Sequence, residues 1–109
     1  MKKICVFGVI LFSLLATTQA QEFTYTTNSP DTNSITIVGY TGLGGNVDIP
    51  TNINGRTVTG IDGQAFHSNM SLTGIVIPNT VTNIGDFVFV SCYNLTNVVI
   101  GTNVASIGV

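Results

Sequence analysis

Apolar and polar positions along this chain recur with a long period. From Val58 the sequence VTGIDGQAFHSNMSLTGIVIPNT is followed by VTNIGDFVFVSCYNLTNVVIGTN, two units of 23 residues, and a third start, VASIGV, runs to Val109. The two full units agree at nine of 23 positions, among them Val58/Val81, Thr59/Thr82, Ile61/Ile84, Phe66/Phe89, Ser68/Ser91, Leu72/Leu95, Thr73/Thr96 and Ile77/Ile100. A fixed period of roughly 20 to 29 residues with apolar positions in phase marks a solenoid, because each unit leaves a hydrophobic face that only the next unit covers.

Within a unit, Leu72-x-x-Ile75-x-Ile77 has the spacing L-x-x-L-x-L. Alternation with period two turns Ile75 and Ile77 inward and Val76 outward on a short strand, and equivalent strands of successive coils align in parallel. Ile61, Ala65 and Phe66, then Ile84, Val88 and Phe89, form a second inward set with spacing suited to a helical turn or a loop. Upstream, Phe23–Thr27 and Ser34–Tyr40 flank a turn cluster at Asn28–Asn33, which predicts a β-hairpin. A glycine-rich turn, TGLGGN over Thr41–Asn46, leads into Val47-x-Ile49-Pro50, a first match to Ile75-x-Ile77-Pro78. Val58 lies eight positions after Pro50, whereas Val81 lies three after Pro78, so residues 47–57 read as a degenerate coil with a five-residue loop extension at Thr51–Thr57. The expected organisation is a hairpin cap over residues 21–46 and a solenoid over 47–109, with coils at 58–80, 81–103 and an incomplete 104–109. A cap is needed because a terminal coil otherwise exposes core and unpaired strand edges.

Composition changes this picture at the N-terminus. Lys2 and Lys3 precede an apolar run from Ile4 to Leu15, and Thr18-Gln19-Ala20 supplies small residues at a cleavage site. Residues 1–20 therefore read as a secretory signal peptide with Gln21 the first mature residue, since the run is shorter than the roughly 20 residues a spanning helix requires. Without the leader, Arg56 stands against Glu22, Asp31, Asp48, Asp62 and Asp86, for a net charge of −4. That surface cannot neutralise phosphates, which excludes nucleic acid as a partner. Cys92 is the remaining cysteine, so the mature chain forms no internal disulfide. Charged residues make up 7% of the sequence, against about a quarter in average domains, and Thr, Asn, Ser and Gly supply the polar surface instead.

The repeat resembles the BspA-like leucine-rich repeats, whose units look like V-T-x-I-G-x-x-A-F-x-x-C-x-x-L-T-x-V-x-I-P. The second unit carries Val81-Thr82, Ile84-Gly85, Phe89, Cys92, Leu95-Thr96, Val98 and Ile100; the first carries Ala65-Phe66 and Ile77-Pro78. The likeness extends upstream through ITIVGYTGLGGNVDIPTNINGRTVTGI and covers most of residues 34–109, with departures at Asn69, Val88 and Gly101. It implies a β-rich leucine-rich-repeat solenoid with 23-residue coils, short parallel strands and an N-terminal hairpin cap. It further implies a secreted or cell-surface protein that works by protein binding or adhesion and has no shared catalytic residues.

Candidate chemistry is sparse. Cys92 falls in register with inward positions and has no basic neighbour to activate a thiolate, so it reads as a small buried hydrophobe. His67 is the single histidine and its equivalent is Val90, which leaves a metal site short of ligands. Asp62 and Asp86 fall near each other in register; a calcium ion needs about six to eight oxygens, and turn formation is the simpler role. No nucleophile-elbow, zinc-protease or phosphate-loop motif occurs, and Gly42-Leu43-Gly44-Gly45 has no lysine or strand–helix context. Asn69-Met70-Ser71 and Asn94-Leu95-Thr96 are glycosylation sequons. The expectation is no enzyme, no cofactor, no metal and no membrane span in the mature chain. A protein or cell-surface ligand would meet the outward strand residues Thr73, Gly74, Val76, Thr96, Asn97 and Val99. A structural spacer or cap within a larger secreted protein is the alternative, and a carbohydrate-binding or hydrolytic protein ranks last. Because the pattern calls for another A-F segment after Ile107-Gly108-Val109, further repeats or a partner are expected to cover the last coil.

Overall fold

A computed structural model of the protein describes residues 22–108. The leader read over residues 1–20 lies outside the described residues. From Phe23 onward the chain is strands and turns: β1 (Phe23–Thr27), β2 (Ser34–Tyr40), β3 (Gly45–Asp48), β4 (Asn52–Ile53), β5 (Arg56–Ile61), β6 (Leu72–Ile77), β7 (Asn83–Ile84), β8 (Asn97–Ile100) and β9 (Ser106–Ile107). The second inward set is therefore carried on turns, not on a helix. Ala65 N–H donates to Asp62 O at 3.0 Å and Asn69 N–H to Phe66 O at 3.1 Å, and isolated turns of this kind do not propagate.

The strands form two sheets that wind about one core. In the first, β1 pairs antiparallel with β2, and β2, β5, β7 and β9 follow in parallel, with β4 folded back on β5. In the second, β3, β6 and β8 are parallel. This is a β-solenoid of leucine-rich-repeat type with a 23-residue step. The N-terminal hairpin forms as expected, and its second strand is also the first rung of the repeat: Ile35 pairs with Val58, 23 residues on. The first turn keeps that length by compensation. Ile35 to Val47 is five residues shorter than the equivalent Val58 to Ile75, and Val47 to Val58 is five residues longer than Ile75 to Val81. The extra residues build the β4–β5 hairpin, whose turn is Asn54 (φ 53°) and Gly55 (φ 80°), the pairing that a type I′ turn requires.

The core runs the length of the stack. Ile35, Val58 and Val81 line one side, Val47, Leu72, Ile75 and Ile77 the other, and all are buried. Between them, the rings of Phe23, Tyr40, Phe66 and Phe89 follow one another with centroids 5.3, 5.3 and 6.3 Å apart. Tilted ring contacts at these separations add to the area they bury. Threonines fasten successive rungs. Thr59 Oγ1 donates to Ile35 O (3.4 Å), Thr82 Oγ1 to Thr59 O (3.3 Å) and Thr96 Oγ1 to Thr73 O (3.3 Å). The threonines thus repeat for a structural reason: each hydroxyl reaches a carbonyl of the preceding rung, and at Thr59 O and Thr73 O it adds to the backbone bond already accepted from the Thr82 and Thr96 N–H groups at 2.9 Å.

Candidate binding surfaces

The outer face of the three-stranded sheet is set out in rows by its register. Asn46, Gly74 and Asn97 form one row; Asp48, Val76 and Val99 form the next. Thr73, Thr96, Asn97 and Val99 are exposed, and Val76 is half-buried. Gly74 is buried, because the Asn46 side chain lies across it and a Cβ there would run into the amide oxygen. The face therefore offers two valines side by side, flanked by Asp48, Asn46 and Asn97, with the Thr96 hydroxyl already committed to Thr73 O.

The residues weighed for chemistry are distributed and singly engaged. Cys92 is buried and its Sγ–H donates to Phe66 O at 2.9 Å, tying one coil to the next. His67 is exposed, with Nδ1 3.0 Å from the Ser68 hydroxyl. Asp62 accepts the Gln64 N–H at 3.0 Å in an aspartate turn. Among the described residues no group of three or more His, Cys, Asp or Glu side chains is placed to hold a metal ion, and no helix is long and apolar enough to cross a membrane. In the sequons, Asn94 Nδ2 donates to Met70 O at 2.7 Å and Asn69 Oδ1 accepts the Ser71 N–H at 3.0 Å, so both amides hold turns.

Two apolar surfaces lie outside the strand face, one at the last coil, where a covering element is expected, and one that the sequence reading does not mark. At the C-terminal end of the stack, Val98, Ile100 and Ile107 are 40%, 43% and 58% exposed, where their equivalents one coil earlier, Ile75, Ile77 and Ile84, are 0%, 1% and 3%. With Val88 and Phe89 they line an apolar cavity of about 320 Å³. On the side of the stack, the turns before the strands of the second sheet expose Leu43, Met70 and Tyr93. Met70 and Tyr93 are one 23-residue step apart. They do not match in identity, and a comparison scored on identity passes over them; large apolar residues at equivalent non-core positions are the signal that finds them.

The sequence model of the BspA type leucine rich repeat region (6 copies) matches residues 33–109. No curated protein matches the chain. Two solved structures are similar. A leucine rich repeat protein of T. pallidum is 30% identical with a TM-score of 0.74, over 78% of this chain and 39% of that one. A leucine rich cell surface protein of Faecalibacterium prausnitzii A2-165 is 31% identical with a TM-score of 0.66, over 75% of this chain and 22% of that one. The chain thus spans well under half the length of either protein.

Proposed function

The chain belongs to the BspA-type leucine-rich-repeat family, and from that premise we propose that it is a secreted or surface-held, non-catalytic module for protein interaction or adhesion, built to sit within a longer array. The observation that carries this reading is the stack itself: successive coils present equivalent positions side by side, so that Asp48, Val76 and Val99 fall in one row of an open sheet face. A partner can engage several coils at once through such a face, and affinity then comes from a few buried anchors within it. The cell-surface description of the F. prausnitzii protein supports an extracellular setting, as does the leader expected over residues 1–20. The exposed core layer at Val98, Ile100 and Ile107 supports an array, since it has the composition of an interior coil and one more coil would cover it. A spacer role is the second reading, favoured by the buried Gly74 and by a strand face without Trp, Tyr or Arg.

Binding of the full chain to an immobilised panel of extracellular proteins tests the proposal. A saturable partner is expected, with affinity reduced about tenfold or more by Val76→Asp combined with Val99→Asp. Reproducible hydrolase activity from the same preparation, without binding, overturns it.

A further inference from the structure

Each turn that enters a strand of the three-stranded sheet carries one large apolar side chain directed into solvent, and the register sets the three in one column. Gly45 pairs with Leu72 and the Gly44 backbone packs on Ser71, which places Leu43 beside Met70. Asn94 Nδ2 donates to Met70 O, which places Tyr93 on the other side of Met70. Leu43 is 95% exposed, Met70 51% and Tyr93 76%, whereas Val47 and Leu72, a few residues on, are buried. Rungs of a sheet are about 4.8 Å apart, so the column runs roughly 10 Å across three coils. Core packing does not account for it. A solvent-facing turn is served by small polar residues, and a contiguous exposed apolar patch marks an interaction site.

The column has a charged end. Beyond Leu43 lies a cleft of about 250 Å³ lined by Glu22, Tyr40, Asn46 and Asp48. Among the described residues no lysine or arginine lines it, and Arg56, the one strong base among them, is turned to Thr32 O at 3.0 Å, in the turn between β1 and β2. With no basic side chain among the described residues of the cleft, its two carboxylates favour a cation beside the apolar strip. An anionic bilayer fails that match.

We propose that Leu43, Met70 and Tyr93, with Glu22 and Asp48 at one end, form the docking site for a protein segment that presents aliphatic or aromatic side chains next to lysine or arginine. This rests on the protein-interaction reading and names the surface and the partner chemistry within it. Tyrosine supplies the anchor, since a large rigid ring with a polar tip gives contact area at low entropic cost. The carboxylates steer and orient the basic end.

A random linear-peptide display library panned on the full chain tests the assignment. Enriched sequences are expected to pair apolar residues with an adjacent lysine or arginine. Synthetic peptides made from them are expected to bind about tenfold or more weakly to a Leu43→Ser, Met70→Ser, Tyr93→Ser chain. They are expected to lose several-fold, together with most of their salt dependence, on a Glu22→Gln, Asp48→Asn chain. All five side chains are surface positions, and unchanged thermal midpoints certify that the variants fold. Equal affinity for the triple-serine chain, or no enrichment over blank support, overturns the column. Peptides lost on Val76→Asp with Val99→Asp instead also overturn it, while leaving the protein-interaction reading standing.

Discussion

At the scale of single residues, what distinguishes this chain is how closely its backbones approach at the turns. Gly63 and Gly85 sit where the backbones of successive coils touch without side chains between them. A Cβ on Gly63 would overlap the Asp86 carbonyl oxygen, and one on Gly85 would come within 2.6 Å of the Gly63 nitrogen. These contacts are with backbone, which cannot swing aside as a flexible side chain can. Gly63→Ala is therefore expected to destabilise the protein by about 1–3 kcal/mol, the usual cost of forcing extra volume into a packed site. Chemical denaturation monitored by tyrosine fluorescence reads this as a lower midpoint at constant slope, and an unchanged midpoint shows that the turns have room to separate. The same tight stacking lets the coil-to-coil hydrogen bonds form. Asn79 Oδ1 accepts the Thr102 N–H at 2.8 Å and Asn103 Nδ2 donates to Asn79 O at 2.9 Å, each bond reaching from one coil to the next. An Asn-, Thr- and Gly-rich composition thus follows from building a wall of turns, where charged side chains would meet like charges every rung.

At the scale of elements, the β4–β5 hairpin isolates a different role for glycine. Gly55 has φ +80° and nothing within 4 Å of an added Cβ, so Gly55→Ala costs backbone strain alone, about 1–2 kcal/mol. A calorimetric midpoint unchanged by the substitution would show that the turn has relaxed into another type. Asn54-Gly55 is the dipeptide that announces such a turn, yet its hairpin was hidden within the stretch Thr51–Thr57, because comparison of Pro50–Val58 with Pro78–Val81 presents it as surplus loop. Strands that alternate over five or more residues, β1 and β2, were legible from their own sequence. The strands of the second sheet were legible from the repeat, since Leu72, Ile75 and Ile77 recur in phase. The rungs β7 and β9 were not: each is two residues long, too short to show any period, and exists because β5 lies beside β7 and β7 beside β9. The candidate site shared this limit. Outward positions on β6 and β8 follow from alternation, but the burial of Gly74 depends on Asn46, a residue of another coil 28 positions earlier. The Leu43–Met70–Tyr93 column depends on a register between turns of unlike sequence.

At the scale of the molecule, the stack is a sum of coils and of interfaces between them, and the interfaces are unequal. Burial grades along the axis: every large apolar side chain of β6 that points inward is at most 1% exposed, whereas all four residues of β8 are exposed. In a nearest-neighbour scheme, a coil with neighbours on both sides has two stabilising interfaces and the last has one. Where β9 alone now pairs with β7, a second tandem copy of residues 81–103, placed directly after Asn103, gives the first copy a complete coil as its next neighbour. Its Val98 and Ile100 then take up the burial now seen at Ile75 and Ile77. Covering these two side chains stabilises by about 1 kcal/mol each, and the added coil's own apolar burial against the first copy offsets its ordering cost, so a net rise in stability is expected. Because the new interface repeats one already present, urea unfolding should remain a single transition, with a higher midpoint and a steeper slope from the larger surface exposed. Amide exchange in β8 should slow toward that of β6. A second, earlier transition, or β8 amides that exchange as fast as before, would mean that the last coil does not template the next and that its apolar layer serves a different occupant.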